Sequence, residues 1–521
     1  MLSLGISYER IIWELKRAMF SFKGSAAMAI LLLQVPVLAF VSFKGAGAVY
    51  ADMIGIMIFI ILFSWFFVSA VHGNRKILIY TLMLLTVGTM LQCIFIREAM
   101  LKYPDSYTGK APAAGLQIQY LMALLGASLV SFVYYKWKEI SSMKMCRLLF
   151  IISSAISLMT ILLSAGTGGV KNWIRIGGLS IQTTEINKLL YLFLAAGLLG
   201  TVELPSRKRL RAFYLVTLVQ AGFLAIQSEY GTLLLLLVVF FAYLFLFVPD
   251  LKIFLRTGAA FALFIICTAF TGYQLSQIAG RYERVAANPL IKLILKAGTK
   301  ISNRFIYWLH PEKDPLGLGY QLLKARESLV LGGWFGTASV TDLPVKTSDL
   351  VYPALIQRCG MIFALLVFFI FILMWLEGLR LFVRKEDRYH QSLAAGIVIM
   401  MFVQTIIIIA GSTGLCPLTG ITLPFISSGG SSLLVSFIMM GLLITISGNV
   451  RWKGEGDEEA EEFFKESKTL TRLVAGARHF AHTVPGPYLR TVAGRFKGGR
   501  PEKSKCKAEG VSEGIHKGEH S

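Results

Sequence analysis

Apolar residues in this chain come in blocks close to twenty long, and the polar residues between them gather into short connections. A helix rises 1.5 Å per residue, so about twenty apolar residues cross the roughly 30 Å hydrocarbon core of a bilayer. Helices of this kind are predicted over 26–43, 51–71, 77–96, 116–135, 148–166, 188–203, 212–227, 231–248, 253–274, 355–383, 391–413 and 431–450. The expected fold is all-α and integral to the membrane, a polytopic bundle of about twelve transmembrane helices.

Every second connection is basic: Arg75 and Lys76; Lys136, Lys138, Lys144 and Arg147; Arg207, Lys208, Arg209 and Arg211; Lys252 and Arg256; Arg384, Lys385 and Arg388. Short basic loops stay in the cytoplasm, so both termini are expected there. The remaining connections then lie outside, including a loop of about 80 residues over 274–354. That loop carries ten Lys or Arg against six acidic residues. Such an excess fits either a solvated face or a surface that receives an anionic lipid pyrophosphate.

Composition agrees with the pattern. The 521 residues are 55% hydrophobic and 16% charged, whereas a soluble domain carries about 25% charge. The formal charge of +22 does not point to nucleic acid, because the basic residues sit mainly between apolar segments. The six cysteines show no metal-ligand spacing and no disulfide framework. No A-x-A-like site follows the first apolar run, so that run is expected to remain as an uncleaved helix. After Arg451 the hydropathy collapses into an acidic run over 455–462 and then a Gly-rich basic stretch. A mostly disordered cytoplasmic tail is expected over 451–521, with a possible membrane-surface helix within 459–480.

Three outward stretches are polar where a membrane protein is normally apolar, which marks them as functional candidates. The first runs Gly169, Val170, Lys171, Asn172, Trp173, Ile174, Arg175, Ile176, Gly177, then Gln182, Thr183, Thr184, Glu185 and Lys188. Glu185 and Lys188 are three apart at a helix start, so they can pair, with Thr183 or Thr184 capping the turn. Structural pairing and chemistry both remain open there. The second stretch is Gln227, Ser228, Glu229, Tyr230, Gly231 and Thr232, which a tight turn would also explain. The third begins at Asn303 and Arg304 and continues through Trp308, His310, Pro311, Glu312, Lys313, Asp314, Pro315, Gly317, Gly319, Tyr320 and Gln321.

These stretches resemble the SEDS family of cell-wall glycan polymerases, which includes FtsW, RodA and SpoVE. That family has G-x-x-R-W-I-x-x-G followed by Q-P-S-E-x-x-K, then Q-P-D-x-G-T, then N-P-x-x-D-P-x-G-x-G-Y-Q in a long outer loop. A fourth match is Pro417, Leu418, Thr419, Gly420, Ile421, Thr422, Leu423, Pro424, Phe425, Ile426, Ser427, Ser428, Gly429, Gly430, Ser431 and Ser432, before the last helix. The resemblance implies a ten-helix core with two extra N-terminal helices. It divides the chain into 1–147 with four helices, a motif-bearing region over 148–450 with its outer loop at about 275–354, and the tail. Several positions depart from the pattern. Thr183 and Thr184 replace proline and serine, Ser228 and Glu229 replace proline and aspartate, and Lys324 and Ala325 replace glutamine and serine. The family's L-P-E-x-H-T-D-F-I-F and following glutamates appear as Leu343, Pro344, Val345, Lys346, Thr347, Ser348, Asp349, Leu350, Val351, Tyr352, then Gln357 and Arg358, and a usual asparagine is Ile408. These changes are expected to strip acidic and polar groups from the outer mouth.

The activity the resemblance implies is peptidoglycan glycosyltransfer, polymerising lipid II in division, elongation or sporulation. Asp314 matches the family's catalytic aspartate, as a base or a ligand orienting a divalent cation such as magnesium or manganese. Arg304, Lys313, Lys324, Arg326, Arg175 and Lys188, with Glu185, are candidates for binding the substrate and its pyrophosphate. Besides lipid II and the membrane, the implied partner is a class B penicillin-binding protein. Two rival readings are a lipid II flippase and a weakened paralogue that scaffolds the transpeptidase.

Overall fold

The computed structural model describes residues 25–70, 73–104, 113–136, 142–164, 172–176, 179–200, 207–279, 289–337, 342–384 and 387–448. The expected tail, its surface helix, both chain ends, Lys171 and the side chain of Arg175 lie outside the described residues.

Each of the twelve apolar blocks corresponds to a described helix, to within a few residues at the ends. In chain order these are α1 Ser25–Phe43, α2 Gly47–Ala70, α3 Arg75–Lys102, α4 Ala114–Lys136, α5 Met143–Leu163, α6 Thr183–Leu199, α7 Arg207–Ile226, α8 Tyr230–Phe247 and α9 Leu251–Ala279. Beyond them come α10 Pro289–Leu309, α11 Tyr320–Gly332, α12 Val351–Arg384, α13 Arg388–Thr413 and α14 Gly430–Gly448. Nine of the described helices are long and apolar enough to cross a membrane. The chain is a polytopic membrane protein.

Long runs of buried residues mark α3, α6, α13 and α14 as the centre of the bundle. Outer helices instead expose apolar stripes, such as Ile151, Leu158 and Leu162 on α5 and Leu263, Phe264 and Phe270 on α9. Exposed leucine and phenylalanine on a spanning helix face lipid, where they cost nothing. Several polar side chains inside the bundle bond to one another across helices. Tyr50 donates to Gln34 Oε1 at 2.6 Å and Gln34 donates to Thr86 at 3.2 Å, which fastens α1 and α2 onto α3.

The segment expected as a long outer loop is largely helical. Within α10, Ile301, Phe305 and Leu309 form an exposed apolar stripe, while Lys300, Arg304 and Trp308 reach into the protein. Both sets recur every four residues, the spacing that places side chains on one helix face. This segment escaped the hydropathy reading because α10 is amphipathic rather than apolar all round.

The stretch at 173–182 is a second departure from expectation. Trp173–Ile176 and Leu179–Gln182 pair as an antiparallel hairpin, β1 and β2, with Trp173 opposite Gln182. The hairpin delivers the chain straight into α6, whose cap is Gln182. Thr183 and Thr184 therefore sit inside the first turn rather than capping it.

α12 contains a break at Gly360, where φ is 86° and ψ is 165°. A Cβ there would lie 2.2 Å from the Trp334 carbonyl oxygen, so glycine is required both for the positive φ and for the close approach. The break lets the segment after α11 pack on α12, with Met361 and Ile362 amides donating to Gly333 and Trp334 carbonyls.

Candidate functional site

The four motif stretches converge at one end of the bundle. Their meeting point is Glu229, at the turn between α7 and α8. Ser228 takes a left-handed conformation with φ 62°, which turns the chain sharply enough to start α8 at Tyr230. The Asn172 side chain, held beside the hairpin, donates to Glu229 Oε1. Thr232 Oγ1 also approaches the carboxylate, at 3.5 Å. Burial pushes the Glu229 carboxyl up to about 7, opposed chiefly by Lys300 and then by Arg304 and Lys188, while Glu185 adds to the rise.

Helix α10 closes over this turn like a clasp. Three of its side chains, one turn apart, each donate to a backbone carbonyl of another segment. Lys300 reaches Ser228 at 3.0 Å, Arg304 reaches Leu418 at 2.8 Å and Trp308 reaches Gly414 at 2.9 Å. Burial lowers the Arg304 pKa, and the charges of Glu229 and Asp349 oppose that shift. Asp349 is raised by burial, against a Ser348 hydrogen bond and the Arg304 charge. Arg304 is thus within electrostatic reach of two partly desolvated carboxylates.

Beneath this lies a wholly internal pair. Glu185 and Lys188 are 4% and 3% exposed and form an ion pair at 2.8 Å across one turn of α6. Lys188 also donates to Gln404 at 3.0 Å, and Gln404 donates to the Thr422 carbonyl at 2.8 Å. The relay from Lys188 through Gln404 to Thr422 joins the first motif to the last. Ser431 completes the junction by accepting from the Gln182 amide at 3.0 Å.

Asp314 occupies the rim. It follows directly on α10 through a 3-10 turn, Pro311–Lys313. Its Oδ2 accepts from the Leu318 amide at 2.9 Å and its carbonyl accepts from the Gly317 and Gly319 amides. A Cβ on Gly317 would lie 2.3 Å from that Oδ2, so the turn wraps the carboxylate closely. Asp314 does start an Asp-Pro turn, and the turn holds its carboxylate in place.

The remaining candidates are scattered. Lys313 is exposed at the end of the 3-10 turn. Lys324 is paired with Glu327 at 2.7 Å, and Arg326 lies beside Gly414. The backbone of Arg175 lies in β1 opposite Ser180. Arg304, Glu185 and Lys188 act on Glu229, whereas Lys313, Lys324 and Arg326 lie along the segment from the 3-10 turn into α11.

The sequence reading did not single out Lys300, Gln404 or Glu98. Lys300 was legible only as the residue one turn before Arg304 on an amphipathic face. Glu98 was hidden at the end of an apolar block. It meets both Lys346 and Arg358, so a carboxylate stands at the mouth where the departures at Val345 and Arg358 had suggested loss. Among the described residues no group of three His, Cys, Asp or Glu could hold a metal ion.

Such an arrangement, with buried charge paired inside, Arg304 at the junction of the motifs and a half-buried carboxylate in the turn that follows its helix, suits transfer of a group from an anionic leaving group. The sequence profile of the FtsW, RodA and SpoVE family of cell cycle proteins matches residues 76–451. The chain belongs to this family. The match takes in α3 to α14 and leaves α1 and α2 outside. Similar proteins include stage V sporulation protein E of Bacillus subtilis (strain 168), 28% identical over 397 residues, 72% of this chain and 97% of that one. Peptidoglycan glycosyltransferase RodA of Mycobacterium tuberculosis (strain ATCC 25618 / H37Rv) is 28% identical over 302 residues, 54% of this chain and 59% of that one. A solved structure described as "Structural coordination of polymerization and crosslinking by a peptidoglycan synthase complex" has the same fold, with a TM-score of 0.54 and 18% identity. It covers 72% of this chain and 97% of the solved one. The protein is therefore a multi-pass bacterial membrane protein of the FtsW, RodA and SpoVE type.

Proposed function

We propose that this protein is a peptidoglycan glycosyltransferase that polymerises lipid II into glycan strands at the outer face of the cell membrane. The observation that carries the reading is α10, whose Arg304 is fixed against Leu418 while its end leads through the 3-10 turn to Asp314. One helix thereby supports both a cation for a leaving pyrophosphate and a carboxylate for an attacking hydroxyl.

The proposed step is a single inverting displacement. The 4-hydroxyl oxygen of one disaccharide forms a bond to the anomeric carbon of another, and the α-linked donor gives a β-linked product. The hydroxyl proton passes to the Asp314 carboxylate. The anomeric carbon–oxygen bond breaks, and its electron pair leaves with undecaprenyl pyrophosphate. Arg304 meets that developing charge, with Lys313, Lys324, Arg326 and Arg175 as further candidates along the path of the pyrophosphate. Glu185 and Lys188, already paired and buried, support the floor of the site. A protein-only metal cage does not fit the described residues, so a divalent cation would be held by Asp314 together with the substrate's own phosphates, supplying Lewis-acid charge.

The orientation belongs to the same proposal: the motif end outside, both termini in the cytoplasm. So does the partner, a class B penicillin-binding protein. The departures from the family pattern at Val345, Thr347 and Arg358 favour a second reading in which the chain mainly scaffolds that transpeptidase. Purified protein given labelled lipid II, with and without its transpeptidase, separates the two. Glycan product in either condition supports the enzyme, and no product in both supports the scaffold.

A further inference from the structure

Three charged side chains from three separate elements meet outside the four motifs. Glu98, near the end of α3, accepts from Lys346 in the segment before α12 and from Arg358 within α12. The same end of α3 binds the same segment three more times. Lys102 pairs with Asp342 at 2.7 Å, Gln92 donates to the Thr347 carbonyl at 3.2 Å, and the Lys346 ammonium lies 5.5 Å from the centre of the Phe95 ring.

The segment so gripped is a tight turn. Val345 is left-handed with φ 47°, and its carbonyl accepts from the Ser348 and Leu350 amides. The far side of the turn is fixed to the last motif: the Ser428 amide donates to the Thr347 carbonyl at 2.7 Å, and Ser427 Oγ donates to the Ser348 carbonyl at 2.7 Å. Gln92 ties the two together by also donating to the Ile426 carbonyl at 3.0 Å. The turn leads to Asp349, whose Oδ2 would lie 3.6 Å from a Cβ on Gly420, two residues beyond the Leu418 carbonyl that holds Arg304.

We propose that Glu98 is a positioning residue of the site, clamping Lys346 and Arg358 so that the turn over 345–350 presents Asp349 to Arg304. The clamp is electrostatic by design. One carboxylate serves two cations on different elements, and Arg358 is almost fully buried. Neutralising Glu98 leaves two like charges side by side, which pushes Lys346 away from Arg358 and carries the turn with it. Asp349 then loses its fixed relation to Arg304, while Arg304 itself stays held by the Leu418 carbonyl. The expected signature is a fall in kcat at constant KM for lipid II.

This inference rests on the proposed polymerase activity, and two measurements keep their failures apart. Zero-length carbodiimide coupling of the full-length parent protein, mapped by mass spectrometry, should join Glu98 to Lys346, whether or not the protein polymerises. Absence of that cross-link removes the clamp. Turnover of monodisperse Glu98→Gln should fall at least tenfold with KM within about twofold of the parent, and Glu98→Asp should retain more activity than Glu98→Gln. Adding Lys346→Gln to Glu98→Gln removes the repulsion between the two stranded cations and should recover part of the lost turnover. Turnover of Glu98→Gln equal to the parent, or a loss that neither Glu98→Asp nor the added Lys346→Gln relieves, overturns the positioning role. A parent that cross-links but makes no glycan overturns the polymerase reading, and with it the catalytic part of this one.

Discussion

Arg304 donates to the Leu418 carbonyl at 2.8 Å, so the helix that precedes Asp314 is anchored to the last motif of the chain, more than a hundred residues further on. The contact makes the position of the rim carboxylate depend on the segment over 417–432. Replacing Arg304 by glutamine removes both the anchor and the charge. Charge-assisted contacts to phosphate are worth roughly 1.5–3 kcal/mol, so affinity for lipid II should fall about tenfold to a hundredfold. Binding of labelled lipid II to folded Arg304→Gln in detergent measures this, and unchanged affinity would remove Arg304 from the pyrophosphate path.

The internal pair gives a stability prediction. Lys188→Met leaves the Glu185 carboxylate buried without its cation, which typically costs about 3–5 kcal/mol. Adding Glu185→Gln removes the stranded charge and should recover much of the loss. Thermal unfolding of the single and double variants in detergent tests this, and equal destabilisation by both would show that the loss does not come from the stranded carboxylate.

Glu229 predicts a pH dependence. Its carboxyl is raised from 4.5 to about 7, so the folded protein holds this proton more tightly than the unfolded chain does. Stability from this group is complete below about 4.5 and declines as pH rises through about 7. Glu229→Gln cannot ionise, so unfolding midpoints between pH 5 and 8 should fall less steeply with pH than in the parent. The same slope in both would place the titration elsewhere.

How much of this was legible beforehand follows from what each element does in water or lipid. The spanning helices were readable because a bilayer imposes both length and apolarity. The amphipathic α10 was not, since half its surface is polar; Lys300, Arg304 and Trp308 share a face only once the helix is known. The hairpin at 173–182 is too short to show alternation against the polar residues around it. Asp314, Glu185 and Lys188 were found through motif and spacing. Glu98 was not, because its partners Lys346 and Arg358 lie some 250 residues away and the pairing exists only in three dimensions.

The proposed orientation predicts that a reporter fused after Lys313 reads outside the cell, and that a fusion after Lys208 reads cytoplasmic. A cytoplasmic signal from the Lys313 fusion would place the site on the side where the glycan is not assembled.

Asp314→Asn provides the most direct test of the central claim. Asparagine keeps the shape and an acceptor oxygen for the Leu318 amide while removing the charge needed to take a proton or to hold a cation. General-base catalysis is typically worth about a hundredfold to ten-thousandfold. Glycan synthesis from labelled lipid II by the purified parent and by Asp314→Asn, each with the transpeptidase, should therefore differ by at least about a hundredfold. Equal rates from the two proteins would contradict the assignment and leave Asp314 as a turn residue.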